Sequence, residues 1–254
     1  MNTYEKGNAL SDGTRHEPAP VVQFSGFTKQ YGDRTVVEDL TFDVHPGTVV
    51  GLLGPNGAGK SSALRGLVGL LRPTSGTATL FGRRFEDIHA PARHVGVHMD
   101  GVGFETGITG RRHLEICALS AGMPKTRVDT VLDEVGLTQA GGKRVGKYST
   151  GMRQRLGLAT ALIGEPELLV LDEPANGLDP EGIRWLRRLL RRHAEAGGSV
   201  LLSNHQLAEI AQTVDELVVI RRRSLFAGPL DGLTKSGTHD LEESYFGLLE
   251  DAHA

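Results

Sequence analysis

A chain of 254 residues, 39% hydrophobic and 23% charged, has the size and balance of a single α/β unit with a real core and is too short for two full domains. Its formal net charge of −3 provides no general pull toward nucleic acid or anionic lipid, and its lone cysteine, Cys117, excludes an internal disulfide or a cysteine metal cluster. The longest apolar runs fall far short of the roughly 20 residues that a membrane-crossing helix needs, so the expectation is a cytosolic protein in which Cys117 is a packing residue.

Residues 1–20 are polar, rich in Gly, Pro and charge, and are expected to form a flexible leader ahead of one domain over 21–254. Strands are predicted over 21–27 and 35–44, then over 48–53, where a continuous apolar run fits a strand buried on both faces. A Gly-rich turn follows at 54–59, and a helix is predicted from 60 to 71, ended by Pro73 and Gly76. A short strand is expected at 95–99. The stretch from about 100 to 151 lacks β-branched runs and reads as a helical insertion, with helices over 111–121, 125–135 and 150–163. Strand and helix then alternate: strands at 168–171, 199–203 and 217–221, helices at 180–196 and 207–213, and a final helix at 241–249. Such alternation predicts a largely parallel sheet covered on both faces.

Two motifs carry chemistry. Gly54-Pro55-Asn56-Gly57-Ala58-Gly59-Lys60-Ser61, followed by Ser62, matches the P-loop pattern and lies between an apolar strand and a helix, the context the motif requires. Glycines let backbone N–H groups curl round a triphosphate, the helix start adds positive potential, Lys60 neutralises the β and γ phosphates, and the Ser61 hydroxyl suits Mg²⁺. A Gly-rich helix cap is the alternative, and the full match argues against it. Further on, the apolar strand at 168–171 delivers Asp172 and Glu173 at its C-terminal end, where open α/β sheets bind ligands. After a P-loop this pair reads as a metal ligand, Asp172, and a base that polarises the attacking water, Glu173. His205, just past the strand at 199–203, is placed to hydrogen-bond the γ-phosphate or that water. The arginines at 187, 188, 191, 192 and 221–223 read as solvated faces, and the ten histidines show no metal-ligand spacing.

Between the two phosphate motifs stands Tyr148-Ser149-Thr150-Gly151-Met152-Arg153-Gln154-Arg155, which resembles the signature motif of ABC ATPases, usually Leu-Ser-Gly-Gly-Gln. Asn176-Gly177-Leu178-Asp179 is similar to the D-loop of that family, His205 to its switch histidine, and Tyr31 to the aromatic residue that stacks on adenine. The matches run in the family's order over about residues 21–219 and look most like the single-cassette ATPases of drug and bacteriocin exporters. The resemblance implies an α/β fold with a RecA-like P-loop NTPase core, an N-terminal antiparallel β-subdomain and an inserted helical subdomain. It also implies that ATP and Mg²⁺ bind and that two ATPase subunits pair head to tail. Ser149 and Gly151 of one subunit, with Asp179 nearby, would then contact the nucleotide held by the other's P-loop. The partners implied are separate transmembrane permease subunits, docked through residues 100–119 with Phe104 among the contacts, on the cytoplasmic face of the membrane; no nucleic acid is expected. Two departures stand out. Asp100 occupies the position where the family has a Gln that reaches the metal, and the signature carries Tyr148, Thr150 and Met152 in place of Leu, Gly and Gln. A soluble single-cassette ABC ATPase serving a non-transport assembly is the alternative function; a P-loop kinase would have no use for the Ser149 segment.

Overall fold

The computed structural model describes residues 18–101, 103–233 and 240–251. The expected leader lies, through residue 17, outside the described residues. Strand β3 (Val49–Leu53) is buried along its whole length because it runs through the middle of a six-stranded sheet with helices or strands on both sides. The chain enters through β1 (Val22–Tyr31) and β2 (Arg34–Val44), continues from β3 into α1 (Lys60–Leu67) and β4 (Ser75–Leu80), and returns to the large sheet at β5 (Val95–His98). Three helices follow, α2 (Gly110–Ser120), α3 (Thr126–Glu134) and α4 (Thr150–Leu162), before β6 (Leu168–Leu171). The remainder alternates: α5 (Pro180–Glu195), β7 (Ser199–Asn204), α6 (Leu207–Ile210), β8 (Glu216–Arg221), β9 (Arg223–Pro229), α7 (Leu230–Leu233) and α8 (Leu241–Asp251).

The large sheet has the order β5-β6-β7-β3-β8-β9, parallel except for β9, which pairs antiparallel with β8. Successive strand residues point to opposite faces, so each apolar run serves two cores. Val50, Leu52, Val170, Leu201 and Val218 pack on one side with β1, β2 and α1. Their neighbours Val49, Leu53, Leu169, Leu171 and Leu202 pack on the other with α4 and α5, in a core that continues into α2 and α3. The antiparallel sheet β2-β1-β4 closes the first core, with Phe24 edge-on to Phe27 and stacked on Phe42. Gly66 in α1 permits this packing, because a Cβ there would meet the Phe27 ring at 2.3 Å.

Several boundaries differ from the sequence reading. Strand β1 extends to Tyr31 rather than 27, past an irregularity between Phe24 and Phe27 where Gly26 takes φ 61. Helix α1 stops at Leu67 instead of 71, and α6 at Ile210 instead of 213. Strands β4 and β9 were not expected from the sequence; β4 has one buried residue and β9 none, and both edge elements lack an alternating apolar pattern. The Arg221–Arg223 run proves to be the tight β8–β9 connection, with Arg222 at φ 62 and Arg223 paired with Glu38. On α5, Arg187 donates to Gln212 at 2.6 Å and Arg191 pairs with Asp215 at 2.6 Å, so these two are anchored to the α6–β8 turn while Arg188 and Arg192 are exposed. Helix α4 runs to Leu162, past the expected end of the helical insertion, and packs on β5 of the large sheet. Among the described residues no helix is long and apolar enough to cross a membrane.

Phe27 is fully buried at the junction of β1 and α1. Phe27→Ala is expected to lower unfolding free energy by about 3–5 kcal/mol, read as a lower urea midpoint at constant m-value; a change under ~1 kcal/mol would mean that this aromatic cluster does not hold the two sheets together.

Candidate active site

The C-terminal ends of β5, β6, β7 and β3 lie side by side, and the segments leaving them deliver Asp100, Asp172 with Glu173, His205, and the loop 54–59 to one edge of the sheet. An open cleft there is lined by Asn56, Gly57, Ala58, Gly59, Lys60, Ser61, Ser62, Asp100, Glu173, Asn176 and His205, with Arg34 and Val36 from β2 as its outer wall. The loop's shape depends on glycine in two ways. Gly57 and Gly59 take φ 81 and 105, in the left-handed region. At Gly59 and Gly54 space is also short: an added Cβ would sit 2.7 Å from the Val36 carbonyl and 2.2 Å from that of Ile220. Ala58 O then accepts from Arg222 N at 3.0 Å, tying the loop to the β8–β9 turn.

Lys60, the first residue of α1, is 5% exposed and curls back over its own loop, donating to Gly54 O at 2.8 Å and Pro55 O at 3.4 Å. It also pairs with Glu173 at 3.4 Å. Ser61 Oγ donates to Asp172 Oδ1 at 3.0 Å, and Ser203 Oγ donates to the same oxygen at 2.7 Å. The other oxygen, Oδ2, is buried with no hydrogen-bond partner. A carboxylate oxygen left unpaired beside a serine hydroxyl is a donor set suited to a hard cation, so the residues present fit Mg²⁺.

Glu173 adopts φ 48, an uncommon conformation for a residue with a Cβ, at an order-of-magnitude cost of about 1–3 kcal/mol. Its N–H donates to Ser203 Oγ at 2.9 Å, and its carboxylate lies 2.8 Å from His205 Nδ1. The strain is held by contacts from β7 and from the P-loop at once. His98, buried at the end of β5, lies against Gly157 of α4, and burial holds its ring below the ordinary imidazole range, so it packs as the neutral form.

The remaining residues singled out in the sequence lie elsewhere. Ser149 is the N-cap of α4, its side chain accepting from Met152 N at 3.2 Å, and Asp179 is the N-cap of α5, accepting from Gly182 N at 2.7 Å. Neither they nor Gly151 line the cleft of their own chain. The segment 176–179 is thus divided, Asn176 reaching the cleft and Asp179 serving a helix start. Tyr31 is 54% exposed at the β1–β2 hairpin with the Lys29 ammonium 4.7 Å above its ring, next in the hairpin to the cleft-lining Arg34. Sequence reasoning missed Arg34, Val36 and Ser203. Arg34 and Val36 carry no motif, and Ser203 sits inside an apolar strand; only the proximity of that strand's end to His205 hinted at it.

The parallel sheet with a glycine loop and two carboxylates at its C-terminal edge defines a P-loop nucleotide-binding protein. The ABC transporter family model matches residues 37–176. Bacitracin transport ATP-binding protein BcrA of Bacillus licheniformis is 42% identical over 226 residues, which cover 87% of this chain and 74% of that protein. The corresponding BcrA of Enterococcus faecalis is 43% identical over 208 residues, 81% of this chain and 68% of that one. The lantibiotic transport ATP-binding protein SrtF of Streptococcus pyogenes is 33% identical over 195 residues, 77% and 84%. A solved structure of the ATP-binding subunit of an ABC transporter superposes with a TM-score of 0.82 at 29% identity, covering 90% of this chain and 99% of that one. The chain belongs to the ABC transporter family, as an ATP-binding, ATP-hydrolysing subunit.

Ser203 serves both carboxylate-bearing residues, so Ser203→Ala should lower stability by about 1–3 kcal/mol and cut ATP turnover by about tenfold, equivalent to ~1.4 kcal/mol of barrier. Urea unfolding and a phosphate-release assay check this. Undiminished turnover would show that the Ser203 hydroxyl is dispensable for holding Glu173.

Proposed function

We propose that this subunit binds MgATP in the cleft, pairs head to tail with a second ATPase subunit, and uses hydrolysis to drive a separate membrane permease as an exporter. The observation that carries the reading is the Glu173 carboxylate, held between Lys60 and His205 at 3.4 and 2.8 Å beside the P-loop. An incoming γ-phosphate competes for the Lys60 ammonium, which frees the carboxylate to take a proton from water as His205 orients it. Ser61 and Asp172 would hold the Mg²⁺, and Asp100, lining the same cleft, would add a third oxygen ligand at its rim. When bound, the ion screens the charge of the β and γ phosphates. Asn56, Gly57, Gly59 and Ser62 would supply loop and helix-start donors to the phosphates, with Tyr31 at the adenine side.

Ser149 and Gly151 lie at the start of α4, away from their own cleft, and a helix N-terminus offers unpaired N–H donors to an anion. Pairing two chains head to tail would place that start over the other's γ-phosphate. ATP then bridges the pair, and loss of the terminal phosphoryl group releases it. Helix α2 exposes Ile116 and Leu119 at 47% and 81%, with Phe104 packed edge-on against His113 at 5.2 Å. This apolar surface is the proposed seat of the permease, which would hold the subunit at the cytoplasmic face of the membrane. The bacitracin and lantibiotic transport named for the relatives supports a transport role over a soluble non-transport assembly.

In this reading Glu173→Gln retains ATP binding, loses turnover by at least about 10²-fold, and accumulates an ATP-bound dimer on size exclusion, whereas Lys60→Ala weakens ATP binding itself. Wild-type turnover by Glu173→Gln would remove Glu173 from the role of base.

A further inference from the structure

The main chain at Glu173 is held as tightly as its carboxylate. Ser203 accepts from the N–H side, and the carbonyl side is met by α4: Gln154 Nε2 donates to Glu173 O at 3.3 Å and to Pro174 O at 3.0 Å. Asn176 N donates to Glu173 O as well, at 3.1 Å, closing the turn. Gln154 lies five residues past Ser149, the cap of α4, a rise of about 7.5 Å along one rigid helix. The start of that helix also abuts the turn that follows Glu173. A Cβ on Gly177 would sit 2.5 Å from Thr150 Cγ2, and one on Gly151 would sit 3.3 Å from Gly177 O. Close-packed contacts of this kind do not slide freely, so α4 and the segment 173–177 shift together or not at all.

A glutamine that only satisfied its own amide could do so within its helix or at solvent. Gln154 instead spans to residues 19 and 20 positions away, donating to the two carbonyls that follow the strained φ of Glu173, and its side chain also meets His98 at the end of β5. We infer that Gln154 is a positioning residue: it carries the placement of the Ser149 end of α4 to the Glu173 carboxylate of the same chain. The inference rests on the proposed role of Glu173 as base. Its consequence is that a subunit whose helix start engages its partner's nucleotide adjusts its own base, with the Gln154 amide aiming Glu173 within the segment that packing moves along with α4, linking the two sites of a pair.

The test uses the purified full chain. Gln154→Leu removes both donors with little change in bulk and is expected to lower kcat about tenfold while KM, ATP affinity and melting temperature stay within about twofold or ~3 °C of wild type. Gln154→Lys, which keeps an N–H donor at similar reach, should recover part of the lost kcat. A Gln154→Leu protein with wild-type kcat overturns the inference, as does a loss matched by equal losses in ATP affinity or melting temperature, or no recovery with Lys. If the Leu variant does not fold, Gln154→Glu, of the same size and without a donor when ionised, decides by the same readings. Failure of the underlying reading is separate: it shows as wild-type turnover by Glu173→Gln, whereas a stalled Glu173→Gln beside an unimpaired Gln154→Leu overturns this inference alone.

Discussion

The structure turns on bringing two carboxylates to the dry end of β6 and holding them there. Asp172 is 1% exposed and the side chain of Glu173 only 12%, positions where an ionised group without partners would cost several kcal/mol. Each is matched by groups from neighbouring elements: Ser61 and Lys60 from the helix after β3, Ser203 from β7 and His205 from just past its end. These contacts exist only if β3, β7 and β6 lie in that order with their C-terminal ends level, which is what the parallel register fixes. The sheet order and the site are therefore one constraint. The glycines of the loop 54–59 belong to it too, since Gly54 and Gly59 let the loop press against β8 and β2 closely enough for Lys60 to reach Glu173.

What could be read from the sequence was what is local. The P-loop, the apolar strand at 168–171 and the helices over 150–163 and 180–196 are contiguous patterns whose chemistry depends on neighbours in the chain. Strands β4 and β9 escaped because edge strands take their structure from a partner's hydrogen bonds rather than from a buried apolar face. Residues Ser75, Gly76 and Thr77 of β4 are all exposed, and β9 has no fully buried residue. The contacts that hold Glu173 escaped for a related reason. Ser203 and Gln154 lie 30 and 19 residues from it, and neither spacing nor periodicity distinguishes them from other polar residues in a strand and a helix.

The departures from the family pattern are absorbed differently. Tyr148, standing where the family has Leu, is buried with its ring against Gly110, and its hydroxyl donates to Ala140 O at 2.8 Å, so the extra polar atom is satisfied. Burial pushes that phenol above its usual range and keeps it neutral. Thr150 packs on Gly177, which ties the start of α4 to the segment 176–179 of its own chain. Asp100 faces the open cleft and caps its own turn, accepting from Gly101 N at 3.0 Å, so its carboxylate lies at the cleft and not in the core.

The most direct test of the central claim, that the Asp172 carboxylate joins the P-loop to β6 as the cation-binding end of the nucleotide site, is calorimetric titration of ATP into wild type and Asp172→Asn with Mg²⁺ and with chelator. Wild type is expected to bind ATP at least about tenfold more tightly with Mg²⁺, roughly 1.4 kcal/mol, and Asp172→Asn to lose that increment while its affinity in chelator is unchanged. Full retention of the Mg²⁺ increment by Asp172→Asn would contradict the account.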